Sequence, residues 1–449
     1  MTFIAGTGTG EAGLIATLPT SIDIEALLRR AGSAIAPDGA IGRNVAGFSD
    51  VAAQRDALWT MLHGFATGNT ADLAASVAAM RYGFQHQAAD GSFVNTIADA
   101  ATSLSDDTFF LQSFARVYLG FQTSGYWAPY AAGLQSMLPS LRKAMSWLSG
   151  QVPTMLAQDA ATPNRLLFDA VAFELNGRIL NDQALIGMGS RFITSALAAQ
   201  RADGSFDEHD GSDTSYQATS MLNLEVLLTY TRDDPAMTAR LGAALKSATA
   251  WEIAHILPSG QVQVDGNSRT GLGQEIGPSG VAKDVNYGEV ALSLSYAATM
   301  QGSAAVQASA AAVTAYAVAY RAPVAASPDL AAYGATLITP DVVQVGVGAH
   351  TLSGAGGPTV FTFLDRADAN DTITNFQAGR DVLDLRAVFA QGVYRGSAAS
   401  DLLRITQSGK NAVVTVDPDG RGPAGSHVLV ILQNVAAAAL HPNSDYTVR

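Results

Sequence analysis

Residues 200–217 read Gln-Arg-Ala-Asp-Gly-Ser-Phe-Asp-Glu-His-Asp-Gly-Ser-Asp-Thr-Ser-Tyr-Gln, and they lie between two segments with helical periodicity. Asp203 to Phe206 predict a tight turn, because Gly204 tolerates a positive φ and an Asp side chain can accept a hydrogen bond from its own backbone. Asp213 predicts a helix N-cap, since apolar residues recur at helical spacing after it. The stretch therefore predicts a helix, a polar turn, an N-cap and a second helix, in that order.

Two further copies of this pattern make it an internal repeat. Gln87-Ala-Ala-Asp-Gly-Ser-Phe93 matches the turn almost letter for letter, and Asp106-Asp107-Thr108 open an apolar helix after it. Pro258-Ser-Gly-Gln-Val262 is a divergent copy, and Asp284-Val-Asn-Tyr-Gly-Glu289 open the helix that follows. Helix hairpins that repeat about every 50 to 60 residues are typical of solenoids and toroids. We therefore predict a mainly α fold, an (α/α)n toroid of about five to six helix hairpins. Its alternate helices would share one opening, and they begin near Asp50, Asp107, Pro163, Asp213 and Asp284.

A change of pattern predicts a second domain. Residues 321–340 are rich in Pro and Ala, and short alternating apolar runs follow them. Such runs, separated by Gly, Asp, Asn and Pro, are typical of strands. We predict a toroid at 1–325, a linker at 326–340 and a β-rich domain at 341–449. The predicted strands are Val342–Val347, Thr359–Phe363, Leu402–Thr406, Asn411–Val416 and His427–Leu432.

Composition excludes several classes of function. The chain has 449 residues, of which 48% are hydrophobic and 14% charged, so a large folded core is expected. Its net charge is −13 and no Lys/Arg cluster occurs, which argues against nucleic acid as a partner. No apolar run approaches the roughly 20 residues of a membrane span. With no cysteine, thiolate chemistry and disulfides are also excluded.

The predicted β domain carries the more specific resemblance to a known family. The segments in question are Ser353-Gly-Ala-Gly-Gly357, Thr359–Phe363, Asn370–Leu385 and Val414-Thr-Val-Asp-Pro-Asp-Gly420. In this order they resemble the C-terminal target domain of type I secreted bacterial proteins. The resemblance implies a β-roll or β-sandwich, an uncleaved C-terminal export signal, a type I secretion apparatus as partner and an extracellular location. It fits residues 1–20, which lack the features of a secretory signal.

The same resemblance implies calcium in the C-terminal domain. The usual Gly-Gly-x-Gly-x-Asp repeat is interrupted here, because Pro358 follows Gly356-Gly357. Calcium takes carboxylate and carbonyl oxygens, so Asp365, Asp371 and Asp381 are the candidate ligands. The alternative is that these aspartates only form turns.

Residues 20–320 resemble, more loosely, the (α/α) toroid families that act on polysaccharides, which are lyases, unsaturated uronyl hydrolases and inverting glycosidases. The resemblance rests on the repeated hairpins and on Asp213-Thr-Ser-Tyr-Gln217. A lyase needs a base and a group that neutralises the uronate carboxylate. We predict His209 or Tyr287 as the base, Tyr216 as the acid, and Arg269 with Asn286 as the carboxylate clamp. No catalytic cofactor is expected.

The predicted function is therefore cleavage of an acidic, uronate-containing polysaccharide by β-elimination. Two alternatives stay open. An inverting glycoside hydrolase would use two carboxylates, for which Glu208, Asp213, Asp107 and Glu289 are candidates. A non-catalytic secreted protein would use the same face only to bind glycans. The residues predicted to contact substrate are His86, Asp107, Asn164, Arg165, Asp213, Trp127 and Glu289.

Overall fold

The structure is a computed structural model of the full chain. It describes residues 10–18, 35–41, 51–93, 103–264, 266–270, 285–320, 341–345, 349–354, 359–363, 370–389, 403–417, 426–442 and 445–448. The chain divides into two compact units. The helical unit comprises Met1–Val262, Asn286–Ala319 and Ala332–Gly334, and the β unit comprises Gln263–Val285, Tyr320–Ala331 and Ala335–Arg449. Residues 263–285, between the turn that ends at Val262 and the helix that follows, are thus grouped with the β unit.

The predicted mainly helical N-terminal part and strand-rich C-terminal part are confirmed. In the described residues the helical unit contains a 3-10 helix, Ala52–Asp56, and thirteen α-helices. The α-helices are α1 (Gly10–Ala16), α2 (Ala57–Thr67), α3 (Thr70–Gln85), α4 (Leu104–Thr123), α5 (Trp127–Gln135), α6 (Leu138–Ser149), α7 (Val152–Gln158), α8 (Pro163–Leu180), α9 (Gln183–Ala198), α10 (Thr214–Tyr230), α11 (Pro235–Ala254), α12 (Tyr287–Gln301) and α13 (Ala304–Tyr320).

Side-chain caps set several helix starts. The Asp213 carboxylate accepts from the amides of Ser215 and Tyr216, as the sequence predicted. The cap of α4 is Ser103, so the predicted start near Asp107 lies one turn too late. Asn286 caps α12 through the Glu289 amide, whereas Asp284 lies outside the described residues.

The polar turn occurs four times in the described ranges, once more than the sequence predicted. In each copy the first and last residues form an isolated β-bridge, and the fifth residue is a glycine with positive φ. A Cβ on that glycine would overlap a backbone carbonyl of a later helix, so only glycine allows the turn to dock there. The four turns and their docking helices are Ile35–Ile41 on α3, Gln87–Phe93 on α6, Gln200–Phe206 on α11 and Ile256–Val262 on α13.

A side chain from the next helix start clamps three of the turns. The side-chain oxygen of Gln217 accepts from the Phe206 amide at 2.9 Å, and its nitrogen donates to Gly204 O at 3.1 Å. Gln54 makes the corresponding pair of bonds to Ile41. In the last copy the acceptor is the Tyr287 hydroxyl, which accepts a hydrogen bond from the Val262 amide at 3.2 Å.

Four helices of the helical unit pack side by side in chain order. α4 contacts α8, α8 contacts α10, and α10 contacts α12. In addition, α9 packs against α8, and α11 packs against α10. The short helix α1 contacts α2, α4 and α10. Its Glu11 forms a bidentate pair with Arg116 of α4 at 2.7 and 3.0 Å, and both side chains are buried. α1 lies near the C-terminal end of α12, because the hydroxyl oxygens of Thr17 and Thr299 are 3.3 Å apart.

The β unit has two sheets, and successive strands β1 to β5 alternate between them. One sheet is entirely parallel in the order β1-β3-β5-β9. The other has the order β2-β4-β8-β7-β6, in which the pairs β2-β4 and β4-β8 are parallel and the other two are antiparallel. The described elements are β1 (Asp341–Val345), β2 (Thr351–Leu352), β3 (Thr359–Phe363), β4 (Asp371–Ile373), β5 (Val382–Asp384), α14 (Arg386–Phe389), β6 (Leu403–Ser408), β7 (Asn411–Val416), β8 (His427–Leu432), the 3-10 helix Ala437–Ala439 and β9 (Tyr446–Thr447).

The core of the β unit follows from strand alternation. In β3 and β7 every second side chain is buried, so Phe361, Phe363, Val414 and Val416 enter one apolar cluster. None of the helices in the described ranges has the length and hydropathy that a membrane span requires.

Candidate active site

The helices α4, α8, α10 and α12 begin next to one another, and we call their N-terminal ends and the loops before them the rim. The rings of Phe109 in α4 and Phe168 in α8 meet edge to face with centroids 4.9 Å apart. The His209 amide, in the loop before α10, donates to Ala161 O at 3.1 Å, one residue before the cap of α8. These contacts join three helix starts.

Three polar contacts join α10 to α12 along their length. The Asn286 amide donates to Ser215 Oγ at 2.9 Å. One turn further in, the Thr219 hydroxyl donates to Glu289 Oε2 at 2.9 Å. Deeper still, the Ser293 hydroxyl donates to Glu225 Oε1 at 3.3 Å. The seam between the two helices therefore includes hydroxyl and carboxyl groups.

Three aspartates at the α4 and α8 end of the rim have raised pKa values. Burial raises the pKa of half-buried Asp106, although Ser103, Arg55 and Arg165 oppose the shift. Burial also raises the pKa of Asp159, against Arg165 and Thr162. The pKa of Asp169 lies well above its ordinary value, first because the carboxyl is buried and second because Asp159 is close. Loss of solvent disfavours the charged form of each carboxyl group.

Six of the predicted residues, besides Tyr287, lie at the α10 and α12 end of the rim. Tyr216, Asn286 and Glu289 are half-buried, and His209 is exposed. His209 has a φ of 52°, in the left-handed region that few residues other than glycine, Asn and Asp adopt. Asp213 is buried and serves as the cap of α10. Glu208, beside His209, is also buried.

Two of the predicted lyase residues are buried. The Tyr287 ring is buried and stacks on Tyr316 with centroids 5.3 Å apart, and its hydroxyl accepts from the Val262 amide. These contacts are those of a packing residue. Arg269 is buried in the segment that belongs to the β unit. Of the predicted carboxylate clamp, Asn286 thus belongs to the helical unit and Arg269 to the β unit.

The remaining predicted substrate residues fall into two groups. Asp107, Asn164 and Arg165 lie at the rim, where Asp107 and Asn164 are buried and Arg165 is half-buried. His86 ends α3, with Nδ1 2.9 Å from Tyr82 O, and its ring lies 4.3 Å from that of Tyr82. Trp127 begins α5 just past the C-terminal end of α4, so it lies at the other end of that helix from the rim.

Several buried polar groups were missed by the sequence reasoning. Glu225 and Glu252 are fully buried, and burial raises the pKa of each well above its ordinary value. In the described part of the chain both carboxyl oxygens of Glu252 lack a hydrogen-bond partner. The signal in the sequence was a charged residue within an apolar helical run, as in Leu224-Glu-Val-Leu227.

Two of the three aspartates predicted to bind calcium are engaged by protein donors. Asp371 Oδ1 accepts from the His350 amide at 2.7 Å. Asp381 accepts from the amides of Thr359 and Gln377 at 3.1 and 2.8 Å. Both aspartates thus tie neighbouring coils of the chain together, while Asp365 lies outside the described residues. Across the described ranges no three His, Cys, Asp or Glu side chains converge as a metal site would require.

Neither the models of known protein families nor the curated protein sequences contain a match to this chain. The candidate site is therefore defined by its geometry alone.

Proposed function

We propose that the helical unit is a glycan-cleaving enzyme whose active site is the rim, and that it acts as a glycoside hydrolase. The observation that carries this proposal is the set of carboxyl groups on adjacent helix starts, of which Asp106 and Glu289 remain half-buried. A glycosidase needs one carboxyl group that holds its proton and another that is ionised. Such a pair requires no cofactor.

Asp106 is the proposed general acid, because burial raises its pKa while part of the side chain stays accessible. Glu289 is the proposed general base, since the Thr219 hydroxyl holds one of its oxygens in place. The two residues belong to α4 and α12, at opposite ends of the series of helix starts. An inverting mechanism needs its two carboxyl groups about 6.5–9.5 Å apart, so the proposal requires α4 and α12 to face each other across the rim.

We infer that the helix pairs close into an (α/α) toroid. The support is the four docked turns, each joining one hairpin to a later helix, together with the side-by-side order of α4, α8, α10 and α12. In such a fold the rim would surround a central opening, which suits a polysaccharide chain better than a flat surface does.

The charge of the rim favours a neutral glycan as substrate. Glu289, the proposed ionised base, would repel a uronate, and Arg55 and Arg165 are the cations that oppose the raised pKa of Asp106. A β-eliminating lyase remains the second candidate. It is favoured by Tyr216 and Asn286, which begin neighbouring helices joined through Ser215.

The test is to incubate the full chain with a panel of neutral and acidic polysaccharides, and to measure reducing ends together with the absorbance of unsaturated uronates. We expect reducing ends without that absorbance. Asp106→Asn and Glu289→Gln should each lower the rate by about 10² to 10⁴-fold, the usual contribution of a general acid or base. The matched control is Asp233→Asn, an exposed aspartate paired with Arg178 past the C-terminal end of α10, which should retain full activity.

Other outcomes separate the alternatives. Unsaturated products that disappear in Tyr216→Phe and persist in Asp106→Asn would favour the lyase. Glycan binding without any product would favour the non-catalytic protein. Equal rates for Asp106→Asn, Glu289→Gln and the control would remove the proposed acid and base.

We also propose that the β unit is the target domain of type I secretion and that the protein is extracellular. The support is the parallel pairing of β1, β3 and β5, with β2 and β4 in the second sheet, since this is how a β-roll winds.

A further inference from the structure

The short helix α1 is held on the helical unit mainly by polar contacts of one residue. The Glu11 carboxylate forms the buried bidentate pair with Arg116 of α4, and the Glu11 amide donates to the Tyr230 hydroxyl of α10 at 3.4 Å. Of the seven residues of α1, the buried apolar ones are Leu14 and Ile15. Two apolar side chains bury little surface, so the ion pair is a large part of what holds α1 in place.

A second carboxyl group, that of Glu225 in α10, is buried near this ion pair. Its Oε1 accepts a hydrogen bond from the Ser293 hydroxyl, whereas Oε2 has no partner among the residues that the structure describes. The charges of Arg116 and of Glu11 both act on Glu225. Glu225 in turn acts on the buried Tyr296 of α12. The helices α8 and α11 also contact α10, but in the described ranges neither places a charged group among these.

One arginine balances one of the two carboxylates, so the other should hold a proton. Burial raises the pKa of Glu225 well above its ordinary value, and the Glu11 charge adds to the shift. The Ser293 hydrogen bond and Arg116 act in the opposite direction. Undocking of α1 would remove the repulsion of Glu11 and admit water, and both changes lower the pKa of Glu225. Glu225 would then be ionised and would balance the charge of Arg116 in place of Glu11.

We propose that α1 is a strap whose docking is coupled to one proton, so that it docks when Glu225 is protonated and undocks when Glu225 is ionised. The docked state binds more protons than the undocked state. The ratio of undocked to docked α1 should therefore rise about tenfold for each pH unit between the pKa values of Glu225 in the two states. This inference does not rest on glycan cleavage or on secretion.

The test is thiol labelling of the full chain, which has no natural cysteine. Ile15→Cys places a thiol at a buried position, where it should react only when α1 undocks. Ala16→Cys, at the exposed neighbouring position, gives the rate of an accessible thiol at the same pH. The ratio of the two rates measures the undocked fraction, and we expect it to rise with pH. Adding Glu225→Gln should abolish the rise, because an amide has no proton to release. Glu252→Gln, which removes a buried carboxyl group of α11, is the matched control and should leave the rise in place.

Two further variants make the result decisive. Ala170→Cys, fully buried in α8, should react more slowly than Ile15→Cys, because it requires unfolding of the helical unit. Glu11→Gln keeps the shape of the side chain but leaves Arg116 without its partner, so it should raise the labelling ratio at least about tenfold. A ratio that does not change with pH, or that changes equally in the Glu225→Gln background, would overturn the proposal. Equal rates for Ile15→Cys and Ala170→Cys would do the same, because α1 would then open only with the whole unit.

Discussion

Glu252 is a residue whose burial should make the stability of the protein depend on pH. Its side chain is fully buried in α11, and its pKa is raised well above the ordinary value of 4.5 by burial and then by the nearby Asp213. The folded protein therefore keeps a proton at this site that the unfolded chain releases above pH 4.5. The contribution of Glu252 is fully present below that pH and is lost as the pH rises toward the folded-state pKa.

Glu252→Gln should remove this dependence, because an amide of nearly the same shape has no proton to lose. The difference in unfolding free energy between the variant and the wild type should be small below pH 4.5. Above it, the variant should gain up to about 1.4 kcal/mol for each pH unit until the folded-state pKa is passed. Urea unfolding at a series of pH values measures this. Asp233→Asn, which removes an exposed carboxylate, should show no comparable gain, and a constant difference across the pH range would refute the argument.

At the same scale, sequence reasoning located helix caps better than buried polar groups. Asp213 could be predicted as a cap because an Asp before an apolar periodic run has a local reason to be there. Asp169 and Glu225 could not be identified as buried, since their burial depends on which helices pack against them. Tyr287 was predicted as a base from its position in the repeat. That position is the one in which Gln217 and Gln54 clamp a turn.

The docked turn is the element that determines how successive hairpins join. Gln217 binds the Phe206 amide, Gly204 O and Ala248 O, so one side chain connects the turn, α10 and α11. The repeat could be predicted where the sequence keeps Asp-Gly-Ser-Phe. The copy at Ile35–Ile41 could not, because it reads Ala-Pro-Asp-Gly-Ala between its ends and only the Asp-Gly pair survives.

Gln217→Ala should destabilise the protein by about 1–3 kcal/mol, because the buried Phe206 amide loses its acceptor. Gln183→Ala is the matched control, since Gln183 is an exposed glutamine at the start of α9. Unfolding by urea compares the two variants. Gln217→Glu would place a buried carboxylate against Gly204 O and Ala248 O, so at neutral pH it should be at least as destabilising as Gln217→Ala. Equal stabilities for Gln217→Ala and Gln183→Ala would show that the clamp contributes nothing.

Across the whole molecule, the division into helical and β parts could be predicted from periodicity, whereas the parallel strand pairing could not. The strands β7 and β8 are runs rich in Val, Leu and Ile, which is a strand signal. The strands β2, β4, β5 and β9 are only two or three residues long, too short to show an alternation. Their positions depend on backbone hydrogen bonds between strands and on side chains such as Asp381. Its carboxylate accepts a hydrogen bond from the Thr359 amide in the neighbouring coil.

If the β unit carries the export signal, removing residues 341–449 should keep the protein inside the cell while the full chain reaches the medium. The measurement is immunoblotting of medium and cell fractions in bacteria that express a type I secretion apparatus. Asp106→Asn is the appropriate control, because it should abolish glycan cleavage without altering the β unit and should be exported normally. The secretion apparatus recognises a signal in the exported chain, so the intact helical unit alone should not be exported. Equal amounts of truncated and full-length chain in the medium would place the signal elsewhere, and the alternation of strands between two sheets would then need another explanation.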